Sequence, residues 1–454
     1  MIINRASKLF QPIVALQKNQ ILINNESISK STQLMLNNGI IKQSSPGIFH
    51  FLPVGLRVLD KLIKLIDTEL RYVDAQKVMF PTLTHAKLWK ASGRYQDVAS
   101  ELFKLKDRHD TEYLLSPTHE ETSADLIASL GLVSFRKYPL KLYQITSKFR
   151  DEMKPRFGLM RARQFIMKDL YSFDIDVERS KKTYAQMCDC YDKIFAKLAI
   201  DWVKVLGSSG TMGGDLSHEY HLPSAIGEDK LVQCGDCNYS ANLEYIHNII
   251  KTEANITSCP NCSSSNIKIT NGIEVGHTFL LGEKYSKALN SKYLAEDGKP
   301  KLLHMGSYGL GVSRIIAAAV EILSEETAIK WPTLLAPYRT VIIGPKIGSK
   351  EEAKLAVTPE NVYQHLNVVN TLMDDVLYDD RSDMTIGKRL LEAKRTGYPF
   401  AIVLGSKATQ NPPQFEVINL YNQDQHFLSL DQLVDFFSSS SNFDVCKLSS
   451  SAKV

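Results

Sequence analysis

Two arginine-bearing segments carry the residues whose types and spacing best suit phosphate chemistry. The first runs Phe149-Arg150-Asp151-Glu152 and, after a short loop, Arg161-Ala162-Arg163-Gln164-Phe165. The second, Gly306-Ser307-Tyr308-Gly309-Leu310-Gly311-Val312-Ser313-Arg314, opens an apolar, alanine-rich stretch. Arginine stays protonated in any protein setting, and its planar fork matches phosphate and carboxylate oxygens. A cation on the first turn of a nearly all-apolar helix is costly unless it is paired or faces a cleft. Two such arginines predict a polyphosphate gripped at both ends. Phe165 offers a flat face to a heterocycle and Glu152 a carboxylate to an amine, so Arg150, Glu152, Arg161 and Phe165 read together as a nucleotide site on one hairpin. The glycines follow G-x-x-G-x-G, not the order of a dinucleotide-binding turn, and no Walker lysine follows them.

The elements that must position these residues show in the apolar periodicity. Leu56, Leu59, Ile63, Ile66 and Leu70 recur at three and four, which predicts an amphipathic helix, and Val78-Met79-Phe80-Pro81 reads as a short strand ended by proline. Ser116-Pro117-Thr118-His119-Glu120-Glu121 precedes a helix through Ala124, Leu126, Ile127 and Leu130, with Thr118 and Glu121 spaced as a capping box. Residues 142–145, 148–149 and 165–167 read as strands, and 178–199 as a long helix with Cys188 and Cys190 as core thiols. After Trp331-Pro332 the pattern changes to alternating strands (341–343, 375–378, 400–404) and helices, predicting a separate α/β domain over 336–440. A serine-rich tail fills 441–454.

Composition excludes little. The 454 residues are 44% hydrophobic and 23% charged, and no apolar run approaches the ~18–20 residues of a membrane span. The net charge of +4 permits nucleic-acid binding without arguing for it. Residues 1–25 contain Arg5, Lys8 and Lys18 and no acid before Glu26, the composition of a mitochondrial leader. Seven cysteines include Cys234-x2-Cys237 and Cys259-x2-Cys262, separated by residues 238–258 within a polar insert spanning 230–272. This spacing is close to a four-thiolate structural zinc ribbon, with unliganded thiols the alternative.

The two arginine segments resemble motifs 2 and 3 of the class II aminoacyl-tRNA synthetases. The strings Arg150–Asp174 and Ile273–Arg314 resemble those of prolyl-tRNA synthetases of the bacterial and mitochondrial type, and the likeness extends from about residue 5 to about 435. It implies an α+β catalytic domain over 26–335, an antiparallel sheet flanked by helices, followed by the α/β anticodon-binding domain. The implied activity is ATP-dependent activation of L-proline, with Mg2+, and its transfer to tRNA(Pro) in the mitochondrial matrix. Arg150 and Arg314 would be catalytic, Arg150 at the α-phosphate and the proline carboxylate, Arg314 at the γ-phosphate. Glu152 and Phe165 would hold adenine, Thr118 and Glu120 the proline ammonium, and His277, His218 (in Ser217-His218-Glu219) and Ser307 would wall the pocket. Asp380 and Arg381 of Tyr378-Asp379-Asp380-Arg381 would read anticodon bases, and Lys388, Arg389, Lys394 and Arg395 would contact the RNA backbone. Val78–Pro81 and its preceding helix resemble motif 1, implying a homodimer. The chain departs from the family at Ala162 and Gln164, where glycine and glutamate are usual, and at Ser307, where cysteine is usual. The Cys-rich insert is too short for the bacterial editing domain, so editing of mischarged alanine is not expected. Two rivals stay open: a non-catalytic synthetase-like nucleic-acid-binding protein, and a class IIa enzyme for threonine.

Overall fold

The arginine segments fall on neighbouring strands of one large sheet. The computed structural model describes residues 2–14, 28–251 and 256–439. Two compact units divide the chain: Ser45–Ile48 with Leu62–Ala318, and Met1–Ser44 with Phe49–Lys61 and Ala319–Val454.

The first unit is built on a nine-stranded sheet. Its strands are β1 (Gln76–Lys77), β2 (Leu140–Phe149), β3 (Gln164–Asp174), β4 (Val203–Leu206), β5 (Leu216–Pro223), β6 (Asp229–Cys234), β7 (Ser240–Asn242), β8 (Ile267–Gly282) and β9 (His304–Gly311). Their order is β5-β4-β7-β6-β8-β9-β3-β2-β1, with β5 also paired to β8. Pairing is antiparallel except at β4–β7 and β1–β2. The hairpin β2–β3 keeps unbroken register from Leu140↔Phe173 to Phe149↔Gln164, so the loop 150–163 starts and ends at one level. Helix Val177–Leu198 buries Tyr184, Met187, Tyr191, Ile194 and Leu198 at helical spacing, with Cys188 and Cys190 on the same buried side. A second core gathers Phe80, Ala124, Tyr171, Phe173, Tyr285 and Met305.

Three expectations change here. The strand foreseen over 78–80 is only Gln76–Lys77. Beyond it, the Phe80 amide donates to the Gln144 side chain (3.0 Å) and not to a strand carbonyl. Thr118 does not cap its helix. Helix Glu120–Ser129 starts after His119 with no side-chain cap, because the Thr118 hydroxyl is spent on Glu120. The Cys-rich piece, read as an insert, is part of the main sheet: β6 and β7 extend it over a small core of Val232, Ala241 and Ile246.

The second unit holds the expected α/β fold. Strands β10 (Thr340–Ile343), β11 (Val376–Asp379), β12 (Phe400–Val403), β13 (Phe415–Asn419) and β14 (Gln425–Leu428) order as β11-β10-β12-β13-β14. The first three run parallel and the last two antiparallel. Residues 2–14, expected within a leader, are built into this unit. The Asn4 carbonyl accepts from the Tyr378 amide (2.8 Å), and the Arg5 guanidinium lies 5.2 Å from the Tyr378 ring centre. The compact units also divide the chain elsewhere than at 335/336: residues 28–44 and 49–61 group with the α/β fold. Positions 1 and 15–25 of the expected leader, and the tail 441–454, lie outside the described residues.

Candidate active site

The loop between β2 and β3 is closed by the Arg150 amide, which donates to the Arg163 carbonyl at 2.9 Å. Gly47, at φ +78°, enters beside it and accepts from the Arg163 amide at 2.8 Å. A Cβ there would sit 2.9 Å from Pro155, so only glycine fits. This closure brings the Arg150 guanidinium 5.2 Å from the centre of the Phe165 ring. Burial and the nearby Arg314 both lower the Arg150 pKa. Among the described residues no carboxylate forms an ion pair with it. A sequestered cation without a protein counter-ion is suited to an anionic ligand.

Arg314, in contrast, is tethered. Its Nε donates to the Met160 carbonyl (2.8 Å), and Nη1 donates to the Glu274 carbonyl (2.8 Å) and faces its carboxylate (3.5 Å). Glu274 also meets His277 Nδ1 at 3.0 Å, while His277 Nε2 lies 2.6 Å from Ser217 Oγ. Burial would raise the Glu274 pKa, but His277 and Arg314 outweigh it and hold the carboxyl well below its usual range. Both arginines line one cavity of about 340 Å3, together with Glu152, Phe165 and His277.

The same cavity is also lined by Thr118, Glu120 and Ser307. Glu120 is buried and accepts from Thr118 Oγ1 (2.8 Å to Oε2), Ser307 Oγ (2.8 Å to Oε1) and Arg94 Nη1 (3.2 Å to Oε2). Below it a polar network holds the strand end. The Tyr171 hydroxyl takes the His119 amide at 2.7 Å and donates to Asp169 at 2.8 Å. Asp169 also receives Gln144 at 3.0 Å and faces Lys148 at 2.8 Å. Burial would raise Asp169, but His119 and Lys148 draw it down to about 2. The cavity therefore joins a fixed carboxylate, able to take an ammonium, to a pair of guanidiniums, able to take phosphates.

Several expected site residues lie elsewhere or are already engaged. His218 does not line the cavity; its Nδ1 meets the Tyr184 hydroxyl at 2.8 Å, and burial lowers its pKa to about 4. Strand alternation is the reason: Ser217, one residue earlier on β5, faces His277 instead. Arg161 lines the cavity but is paired with Glu152 (2.9 Å) and Glu228 (2.9 Å), and Glu228 also holds Arg156 (2.8 Å). Gln164 is exposed and outside the cavity lining, so it takes no carboxylate from the site. Sequence reasoning missed Arg94, Glu121, Glu228 and Glu274. Each acts through a partner distant in the chain, which local sequence does not reveal.

The four cysteines converge. All their sulfurs lie within 4.8 Å of one another, with Cys234–Cys262 at 3.7 Å and Cys237–Cys259 at 3.6 Å. A disulfide needs about 2.05 Å, whereas a zinc tetrahedron with bonds of about 2.3 Å has edges of about 3.8 Å. The Asp236 amide donates to Cys234 Sγ and the Asn261 amide to Cys259 Sγ, both at 3.4 Å, so the two knuckles repeat one geometry. The donor set fits a four-coordinate zinc ion.

Around the β11 end, the predicted RNA readers are engaged. Asp380 accepts from the Ser7 amide (2.9 Å) and hydroxyl (2.7 Å). Arg381 is forked onto Asp379 (2.8 and 2.6 Å) and reaches Glu392 (2.7 Å). Arg389 is a buried strut to the Asp379 and Gly344 carbonyls (3.1 and 2.6 Å). Arg395 donates to the Val14 carbonyl (3.0 Å), and Lys394 faces Glu325 (3.6 Å). Lys388 is exposed. Arg389 and Arg395 are thus structural, correcting their expected RNA-backbone role.

Residues 103–323 match the tRNA synthetase class II core domain (G, H, P, S and T), and residues 350–440 the anticodon binding domain. The chain is 45% identical over 433 residues to a probable mitochondrial proline--tRNA ligase of Homo sapiens, covering 94% of this chain and 90% of the relative. It is 37% identical to the proline--tRNA ligase of Ehrlichia chaffeensis, covering 89% and 94%. A prolyl-tRNA synthetase of Giardia lamblia, solved with prolyl-adenylate, superposes with TM-score 0.75 at 16% identity, covering 93% of this chain and 81% of that one, a likeness of fold.

Proposed function

This chain belongs to the proline--tRNA ligases of the class II aminoacyl-tRNA synthetases, and on that premise we propose how its own residues carry the reaction. ATP-dependent ligation of proline to tRNA is the activity. The observation that carries the residue assignment is a single cavity holding Glu120, Arg150 and Arg314. Glu120, with Thr118 and Ser307 oriented on it, takes the proline ammonium. That anchors the proline carboxylate toward Arg150, which has no carboxylate ion pair among the described residues and holds both that carboxylate and the α-phosphate. Phe165 stacks adenine, Glu152 receives its amine, and His277 walls the site. Arg314, locked by Met160 and Glu274, meets the γ-phosphate.

The carboxylate is already ionised at neutral pH, so no general base is required. Its oxygen attacks the α-phosphorus and forms prolyl-adenylate as pyrophosphate leaves. The rate gain comes from positioning and from fixed positive charge at the phosphoryl oxygens. Magnesium suits the triphosphate end, where Glu274 beside Arg314 offers an oxygen ligand; when bound it would neutralise phosphate charge. The terminal hydroxyl of tRNA(Pro) then takes the prolyl group. Proline-dependent ATP–pyrophosphate exchange tests this reading. No exchange with proline, or equal exchange with threonine, would overturn it. The non-catalytic alternative is disfavoured because both arginines are present and line the same cavity.

Further assignments belong to the same proposal. The second unit binds the anticodon, with Asp380 and Arg381 at the β11 end, held there by Ser7 and by Asp379 and Glu392, and Lys388 exposed for the RNA backbone. The enzyme works in the mitochondrial matrix; its mitochondrial relatives support this. It is a homodimer, which the sheet-edge strand β1 and the exposed Tyr72 and Met79 beside it support. A molar mass by light scattering near twice 51.1 kDa is expected. Cys234, Cys237, Cys259 and Cys262 hold a structural zinc ion. Metal analysis of protein purified without chelator should find about one equivalent, and none would refute the site.

A further inference from the structure

The environment of Glu120 contains more charge than an ammonium acceptor needs. Glu120 and Glu121 are consecutive, and both are buried. The Arg94 guanidinium lies between them: Nη1 stands 3.2 Å from Glu120 Oε2 and 3.2 Å from both oxygens of Glu121. Ser92 Oγ donates to Glu121 Oε1 at 2.7 Å. Arg94 itself is 4% exposed. Its guanidinium stacks 4.6 Å from the Trp89 ring centre, and Nη2 donates to Met212 Sδ at 3.1 Å. Gly93, at φ +83°, ends helix Ala86–Ser92 and turns the chain so that Arg94 can point inward.

The charges in this group do not cancel. One guanidinium faces two carboxylates, a net of one negative charge in a buried site. Nearby Lys148 does not balance it, being paired with Asp169 at 2.8 Å. Lys284 is exposed and donates to the Thr211 and Met212 carbonyls at 2.7 and 3.1 Å. Burial and the neighbouring Glu120 raise the Glu121 pKa above the usual carboxylate value, against the opposing pull of Arg94 and Ser92. A buried cluster with one uncompensated negative charge is incomplete until a cation enters.

Resting on the reading of Glu120 as the ammonium acceptor, we infer that Arg94 and Glu121 are positioning residues that set the charge of the amino-acid site. Arg94 holds the Glu120 carboxylate aimed at the ligand, and Glu121 leaves the triad one charge short, so that a protonated amine closes it. Glu121 lies outside the cavity lining and Arg94 forms part of its wall; both are assigned their effect through Glu120. The arrangement selects for a cationic amine by its missing charge as well as by its shape.

This charge count makes a prediction that a purely structural role does not. Arg94→Met leaves two carboxylates together with no cation between them, so they repel and move Glu120 off the ligand. Glu121→Gln leaves a neutral Arg94–Glu120 pair with no deficit. The double variant restores a single carboxylate and the original net charge. Proline KM in ATP–pyrophosphate exchange should rise on the order of 10- to 100-fold in each single variant, with ATP KM unchanged. In the double variant it should be lower than in either single one. A double variant no better than the worse single variant, or a rise in ATP KM equal to that for proline, would overturn the inference. Glu121→Gln preserves shape and tests the claim even if Arg94→Met fails to fold: an unchanged proline KM refutes it. Calorimetric proline binding separates the two levels of argument. A wild-type protein that binds no proline defeats the assignment of Glu120 and this inference with it. Wild-type binding without rescue in the double variant defeats this inference alone.

Discussion

Replacement of Arg314 by lysine separates the two tasks assigned to that side chain. An arginine carries five N–H donors in a rigid fork. In this fold Nε and Nη1 hold the Met160 and Glu274 carbonyls at 2.8 Å each, and the other donors remain for the Glu274 carboxylate and a phosphate. Lysine keeps the charge but has a single nitrogen, which cannot span both carbonyls and the cavity. Hydrogen bonds from a charged donor are worth about 1.5–3 kcal/mol each, and lysine keeps one of the two, so the stability loss is at most about 3 kcal/mol. The chemical step should lose more: a misplaced donor to developing phosphoryl charge costs on the order of 10²–10³ in kcat, about 2.7–4 kcal/mol. Proline-dependent ATP–pyrophosphate exchange measures the second quantity and urea unfolding the first. The expected result is a folded enzyme whose kcat falls at least 100-fold with proline KM within about threefold of wild type. Exchange within threefold of wild type would falsify the role given to the fork. A loss explained by unfolded protein would remove the distinction between tether and phosphate ligand.

Other outcomes follow from the same geometry. Ser307→Ala removes one donor from Glu120 (2.8 Å) and should raise proline KM about tenfold while leaving ATP KM alone, measured by exchange. Lys388→Glu should weaken tRNA charging without changing ATP–pyrophosphate exchange, because exchange does not use the second unit; equal losses in both assays would contradict the anticodon assignment. Lys168 is fully buried against Tyr191 and the Tyr308 carbonyl (3.0 Å), and burial lowers its pKa to about 7. Between about pH 7 and about 10.5 the unfolded chain therefore holds a proton that the folded one lacks, so this group makes stability rise with pH, by at most about 1.4 kcal/mol per unit. Urea titrations from pH 6.5 to 9 should show that rise in the wild type relative to Lys168→Met, and parallel curves would count against it.

Much of the site could be read from local sequence, because its parts sit on two short strings. Arg150 and Phe165 face each other since a hairpin of unbroken register returns the chain to the same level. The sequence suggested that hairpin through its apolar strands and the cations between them. Arg314 at the head of an apolar helix was likewise visible as a charge with nowhere to go unless a cleft received it. The α/β pattern after residue 336 and the convergence of two C-x2-C knuckles follow from periodicity and spacing. Strand parity already separates Ser217 from His218, but which of the two faces the pocket depends on the pairing of β5 with β8.

What remained hidden is pairwise and long-range. Arg94 and Glu121 belong to one charge group only because helix Ala86–Ser92 and helix Glu120–Ser129 meet in space. Arg161, Arg389 and Arg395 look alike in sequence, yet one is clamped by Glu152 and Glu228, one braces strand ends, and one binds the Val14 carbonyl. The acid-free start reads as a leader by composition, while Asn4, Arg5 and Ser7 find partners at Tyr378 and Asp380. Sequence alone therefore determined which groups can carry phosphate and ammonium chemistry, since residue type and local period decide that. Which of those groups can act was decided by the tertiary structure, because a charge serves a ligand only where the partners it has already found leave donors, acceptors or net charge over.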